Sequence, residues 1–234
     1  MTSPTASARK IIPRVLPFSL FMIFIAADEL SGLAASRHLL VLPKTIPLYL
    51  YPVKAFSVAV LLFFYRKSYR ELSFADLKGL SATAAACAAG LLVFFLWIGM
   101  DWTLPGVAAP AGFNPTLLPE GPVRLLMILS RVAGAVLVVP LMEELFWRSF
   151  LIRYVIDADF DAVPIGAFTA TSFLATVLLF GLEHYFVAAG MVAGAVYNLI
   201  FYKTRSIAQC VLAHAVTNLA LAAYVLHTGK WYFW

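Results

Sequence analysis

Runs of about 20 apolar residues, broken by short polar clusters, organise nearly the whole chain. A helix needs roughly 20 such residues to cross the hydrocarbon core of a bilayer. By that measure helices are expected at about 15–35, 46–65, 79–99 and 122–142, a shorter element at about 144–157, and three more at about 163–182, 186–202 and 206–227. The segment 100–121 contains Pro105, Pro110, Pro115 and Pro119, and it runs into Pro122. Proline lacks the N–H that a helix interior needs, so this segment reads as loop. There is no internal repeat and no low-complexity block. The pattern therefore gives one domain at 15–234 behind a flexible cytoplasmic tail at 1–14.

Composition turns this pattern into a class. The chain is 62% hydrophobic and 12% charged, with a mean hydropathy of +0.89. A soluble domain is roughly 45–50% apolar and about 25% charged. The expected fold is thus an all-α polytopic membrane bundle. The net charge of +5 sits in short clusters beside the apolar runs, which fits topology and contact with membrane lipids rather than nucleic acid. Cys87 and Cys210 lie inside apolar stretches without ligand or redox spacing and read as packing residues. Arg9, Lys10 and Arg14 before the apolar run Val15–Ala27 have the outline of a signal peptide. The many later spans favour a retained first helix.

Charge also orients the helices. Lys and Arg cluster before the first span and again at Arg66, Lys67, Arg70 and Lys78, whereas 100–121 has none. The N-terminus is expected in the cytoplasm and the proline-rich loop outside. The number of spans turns on 144–157. If it only dips into the membrane as a re-entrant helix, there are seven spans, and Glu143 and His184 fall on opposite faces of a core about 30 Å thick. If it crosses, there are eight spans and His184 returns to the side of Glu143, at the cost of leaving Lys203 and Arg205 outside. Eight spans are expected, because they unite the buried charges.

Those charges lie in three short motifs, and intramembrane ionisable groups usually mark function. In EELFWR, Glu144 and Arg148 have the i,i+4 spacing of a favourable pair. Adjacent Glu143 points about 100° away and is free to act as a general base. Taken alone, the group equally fits a solvated helix end. In FGLEH, Phe180 and His184 share a helix face, while Glu183 is expected to point elsewhere; a lone His at a helix end is more often a satisfied polar residue. In HAVTN, His214 and Asn218 share a face of the last span. They suit proton transfer and oxyanion stabilisation, or interhelical polar contacts. HExxH and GxSxG are absent, so zincin-type and nucleophile-elbow chemistry have no support.

The order EExxxR, FxxxH, HxxxN resembles the CAAX-protease and bacteriocin-processing family, which includes the type II CAAX prenyl endopeptidases or glutamate intramembrane proteases. The resemblance covers about 122–227 and rests on Glu143, Glu144, Arg148, Phe180, His184, His214 and Asn218. It implies an eight-helix bundle with a conical cavity open to the cytosol. Glu143 and His184 would activate water, His214 and Asn218 would stabilise the oxyanion, and Glu144 with Arg148 would brace the site. No cofactor is firmly implied, although a zinc ion on Glu143, His184 and His214 would match a three-ligand catalytic site. The implied substrate is a membrane-associated peptide, prenylated or not, and the implied location is a prokaryotic cell membrane. The alternative is a non-catalytic immunity or scaffold protein, or a small proton-coupled transporter.

Overall fold

The computed structural model describes the backbone of residues 4–234 and the side chains of residues 10–234. Seven long helices make up the described residues: α1 (Pro4–Ser36), α2 (Ile46–Phe64), α3 (Leu80–Gly99), α4 (Pro122–Ile156), α5 (Ala170–Leu182), α6 (Val187–Thr204) and α7 (Ile207–Thr228). No strand occurs among the described residues. Five of the helices (α1 from Lys10, α2, α3, α4 and α7) are long and apolar enough to cross a membrane. Phe56, Phe63, Phe95, Leu126, Leu129 and Leu199 are exposed on the bundle's outside, while Arg148, Glu144, Asn198 and Gln209 are fully buried. An apolar exterior around a polar interior is the distribution expected in lipid, and the chain is an integral membrane protein.

The eight expected helices become seven because 122–142 and 144–157 are one continuous helix of 35 residues. Nothing breaks it. Pro122 occupies the first turn, where its missing N–H costs nothing, and Pro140 falls just after a π-helical stretch at Gly134–Val138. A second π stretch follows at Leu145–Leu151. Glu143 and Glu144 lie in the short α-helical turn between the two, and π segments inside α-helices often accompany functional sites.

The tail expected at 1–14 is helical from Pro4 onward, and residues 1–3 lie outside the described residues. Arg14 explains why the chain is held here. It is 3% exposed, pairs with Glu71 at 2.7 Å and donates to Ser149 Oγ at 3.0 Å. Pro17 has no N–H to give the Pro13 carbonyl, and the Tyr69 hydroxyl donates to that carbonyl instead, at 2.9 Å. Lys10 pairs with Asp161, and Ser206 donates to Asp76 at 2.5 Å. One end of the bundle thus gathers the start of α1 with the connections 65–79, 157–169 and 205–206. It holds Lys10, Arg14, Arg66, Lys67, Arg70, Lys78, Lys203 and Arg205. The other end gathers 37–45, 100–121 and the C-terminus, with only Arg37, Lys44, Arg124 and Lys230.

Candidate active site

Close helix packing positions the polar residues, and small residues make it possible. A Cβ on Gly90 of α3 would lie 2.3 Å from the Ala213 carbonyl of α7, and one on Gly190 of α6 would lie 3.0 Å from the Gly181 Cα of α5. Contacts this close need glycine, as in other membrane helix pairs. They seat α3 against α7 and α6 against α5.

At the centre is Arg148, 1% exposed. Its Nη1 donates to Glu144 Oε1 at 3.2 Å, its Nε to Asn198 Oδ1 at 3.1 Å and its Nη2 to the Gly194 carbonyl at 3.1 Å. Asn198 donates in turn to Thr176 Oγ1 at 2.9 Å. The guanidinium also lies 4.9 Å from the Phe180 ring centre and 5.4 Å from that of Tyr197. A buried charge is tolerated when it is paired and hydrogen-bonded, and each of the three Arg148 nitrogens has an acceptor. No motif spacing marks Asn198 and Tyr197 in the sequence; an amide in an otherwise apolar helix is the one available signal.

Glu144 carries this network to α7. Its Oε1 accepts from His214 Nδ1 at 2.9 Å as well as from Arg148. His214 stacks on Tyr197 with ring centres 4.9 Å apart. The Tyr197 hydroxyl donates to Thr217 Oγ1 at 2.8 Å, and Thr217 donates to the Gly90 carbonyl at 2.8 Å. Because a carboxylate only accepts, His214 holds its proton on Nδ1 and leaves Nε2 available. His184 is fixed in the same tautomer: its Nδ1 lies 2.7 Å from the Phe180 carbonyl, another obligate acceptor. Asn218 Nδ2 donates to the Ala135 carbonyl at 2.8 Å and keeps a second N–H.

These groups meet in a cavity of about 1090 Å³. Glu143, Phe180, His184, His214 and Asn218 all line it, while Glu144 and Arg148 stand behind its wall. Glu143 is 4% exposed, and its Oε2 is buried without a partner among the described residues. The helix count did not prevent this meeting. From Glu143 to the basic end of α4 at Ile156 is 13 residues, about 20 Å at 1.5 Å per residue. Helix α5 rises from the same end and has only 13 residues, again about 20 Å. His184, just past its tip, therefore stops at the level of Glu143.

Glu183 corrects the sequence reading. It also lines the cavity, with a buried Oε2 lacking a partner among the described residues. Helix α5 ends at Leu182, so helical spacing no longer separates residues 183 and 184. Trp147, by contrast, packs in the apolar core against Phe18, Phe146 and Phe180.

Among the described residues no three His, Cys, Asp or Glu side chains are grouped to hold a metal ion. The Nδ1 atoms of His184 and His214 are both committed to protein acceptors, which leaves Nε2 of each ring open. The cavity, moreover, extends toward 31–48, 110–117 and Tyr232–Trp234, and no described residue of the basic end lines it. Its access is from the weakly charged end or from the side.

Residues 125–220 match the family model described as type II CAAX prenyl endopeptidase Rce1-like. No curated protein and no solved structure matches the chain. The matched segment, which is similar to that family, holds Glu143, Glu144, Arg148, Phe180, His184, His214 and Asn218.

Proposed function

We propose that this protein is an intramembrane endopeptidase that hydrolyses a peptide bond of a membrane-associated substrate with water activated by Glu143 and His184. One observation carries the reading. Of two adjacent buried glutamates, Glu144 stands behind the wall with its Oε1 engaged by Arg148 and His214, whereas Glu143 faces the cavity and neither of its carboxylate oxygens has a hydrogen-bond partner among the described residues. A carboxylate retained for packing alone has no reason to face a cavity with both oxygens unbonded, which costs stability.

In this mechanism water sits between Glu143 and His184 Nε2. Glu143 takes one proton as the water oxygen attacks the scissile carbonyl carbon. The resulting oxyanion is stabilised by the free Asn218 N–H, with His214, oriented by the Glu144 carboxylate, beside it. Glu143 then returns the proton to the leaving amine as the C–N bond breaks, so protons balance over the cycle. Phe180 supplies the carbonyl that fixes His184.

We further infer that the basic end faces the cytoplasm, since Lys and Arg concentrate on that side. A cytoplasmic N-terminus and a cavity open to the cytosol then exclude each other here, and the cavity belongs to the outer half of the membrane. Substrates of CAAX type fit the family, while a cavity on that side favours other lipidated or membrane-embedded peptides.

The test is cleavage of a farnesylated CaaX peptide and unprenylated membrane peptides by protein in liposomes. Glu143→Gln and His184→Ala are each expected to lower turnover by about 10²–10⁴-fold, the usual worth of acid–base catalysis, while both proteins still insert and elute as wild type. Undiminished cleavage in both variants would remove these residues from the mechanism. A chelator is expected to leave the rate unchanged.

A further inference from the structure

A second cavity, of about 270 Å³, lies at the basic end, apart from the candidate active site. Lys10, Arg14, Lys67, Arg70, Glu71 and Asp161 line it, and no apolar side chain does. Both carboxylates are already taken. Arg14 pairs with Glu71 at 2.7 Å and also donates to the Lys10 and Ser68 carbonyls, at 2.7 and 3.1 Å. Lys10 pairs with Asp161 at 2.6 Å. Lys67 and Arg70 are exposed at the opening, and neither forms an ion pair with these acids. The cavity thus carries two positive charges that no described residue offsets. An anion with several acceptor oxygens meets that need, and phosphate is such an anion.

The surroundings indicate which phosphate. On α2, Phe56, Val60, Phe63 and Phe64 are exposed. Their i, i+4, i+7 and i+8 spacing makes them one apolar stripe along the outside of the bundle. That stripe ends three residues before Lys67. Phe74, in the connection that follows, is exposed as well. An acyl chain lying on the stripe brings its headgroup to the level of the cavity, and basic pockets between helices at a membrane surface suit anionic headgroups.

We propose that this cavity binds the phosphate of an anionic phospholipid from the adjoining leaflet, held by Lys67 and Arg70. The site joins α1 to the connections 65–79 and 157–169, so its occupancy fastens these segments together. It is independent of the peptidase reading.

Full-length protein in a neutral detergent, titrated with short-chain phosphatidylglycerol or phosphatidylcholine, tests this. Bound lipid is counted by native mass spectrometry, and the unfolding temperature is measured beside it. Phosphatidylglycerol is expected to bind about 10- to 100-fold more tightly, the worth of one or two charge-assisted hydrogen bonds. It should also raise the unfolding temperature, as a ligand of the folded state does. Lys67→Gln with Arg70→Gln should remove both effects while the protein still inserts and elutes as wild type. Lys67→Arg with Arg70→Lys should keep them. Arg66→Gln with Lys78→Gln removes as much charge from the same end outside the cavity and should leave the preference in place. Equal binding of the two lipids overturns the proposal, as does a preference that survives the loss of Lys67 and Arg70. A preference lost equally without Arg66 and Lys78 overturns it too, because general attraction to the basic end would then suffice. Inorganic phosphate and glycerol 3-phosphate are the soluble probes: if either displaces the lipid at equal concentration, the ligand is a free phosphate and the lipid assignment fails.

Discussion

Asn198 illustrates how much rests on single residues. It accepts from Arg148 and donates to Thr176 in a fully buried setting. Asn198→Ala leaves an arginine N–H unpaired, and a lost partner for a buried charged group costs about 1–3 kcal/mol. The expected result is a lower unfolding temperature in detergent together with reduced turnover, because Arg148 also steadies Glu144. A variant as stable and active as wild type would show that water replaces Asn198 freely. Two carboxylates at the basic end set a pH dependence of stability. Burial pushes Glu71 upward, but its hydrogen bonds and charge pairing with Arg14, helped by Ser149, hold it below its ordinary 4.5. Asp161 is held below 3.8, chiefly by its hydrogen bond from Lys10. A carboxylate lowered on folding adds stability that is full above its unfolded value and is lost as pH falls through the folded one. Thermal unfolding is therefore expected to be flat from pH 7 to 5 on account of these two groups and to drop below about 4.5. Glu71→Gln should flatten the drop.

Helix pairs carry the next level of organisation. The α3–α7 contact is the sharpest test, because the obstacle to a side chain at Gly90 is the Ala213 backbone carbonyl and not a movable side chain. Alanine gains up to about 1 kcal/mol of helix propensity over glycine, whereas forcing atoms into a filled interface costs typically 1–3 kcal/mol. Gly90→Ala is expected to destabilise the protein and to lower turnover, since α7 carries His214 and Asn218 and Thr217 bonds to Gly90. Gly99→Ala on the same helix has open space around it and should be neutral. Equal behaviour of the two in thermal unfolding would mean that α3 and α7 are not so tightly apposed.

The whole molecule is polarised by charge and by access to its cavity. In a background without Cys87 and Cys210, a cysteine at Lys67 should react with an impermeant maleimide only after the membrane is opened. One at Lys230 should react in intact cells. The reverse pattern would put the cavity mouth on the cytoplasmic side and invert the proposed entry route. Seven helices also resolve the conflict that eight would create, because the connection bearing Lys203 and Arg205 falls at the basic end with the other cationic segments.

By itself the sequence determined the helical class, the apolar exterior and the candidate site residues. Each of these follows from local pattern: apolar runs of span length, and Glu143, His184, His214 and Asn218 standing out within them. The Glu144–Arg148 pair was legible too, being one helical turn apart. Tertiary structure decided what depends on where helices end and what they meet. No residue spacing announces the two π stretches that lie within the single helix at 122–156. The short reach of α5 set His184 level with Glu143 and turned Glu183 inward. Lys10 and Asp161 lie 151 positions apart in sequence, so the cavity they share with Lys67 and Arg70 appears only once α1 packs beside the connection 157–169.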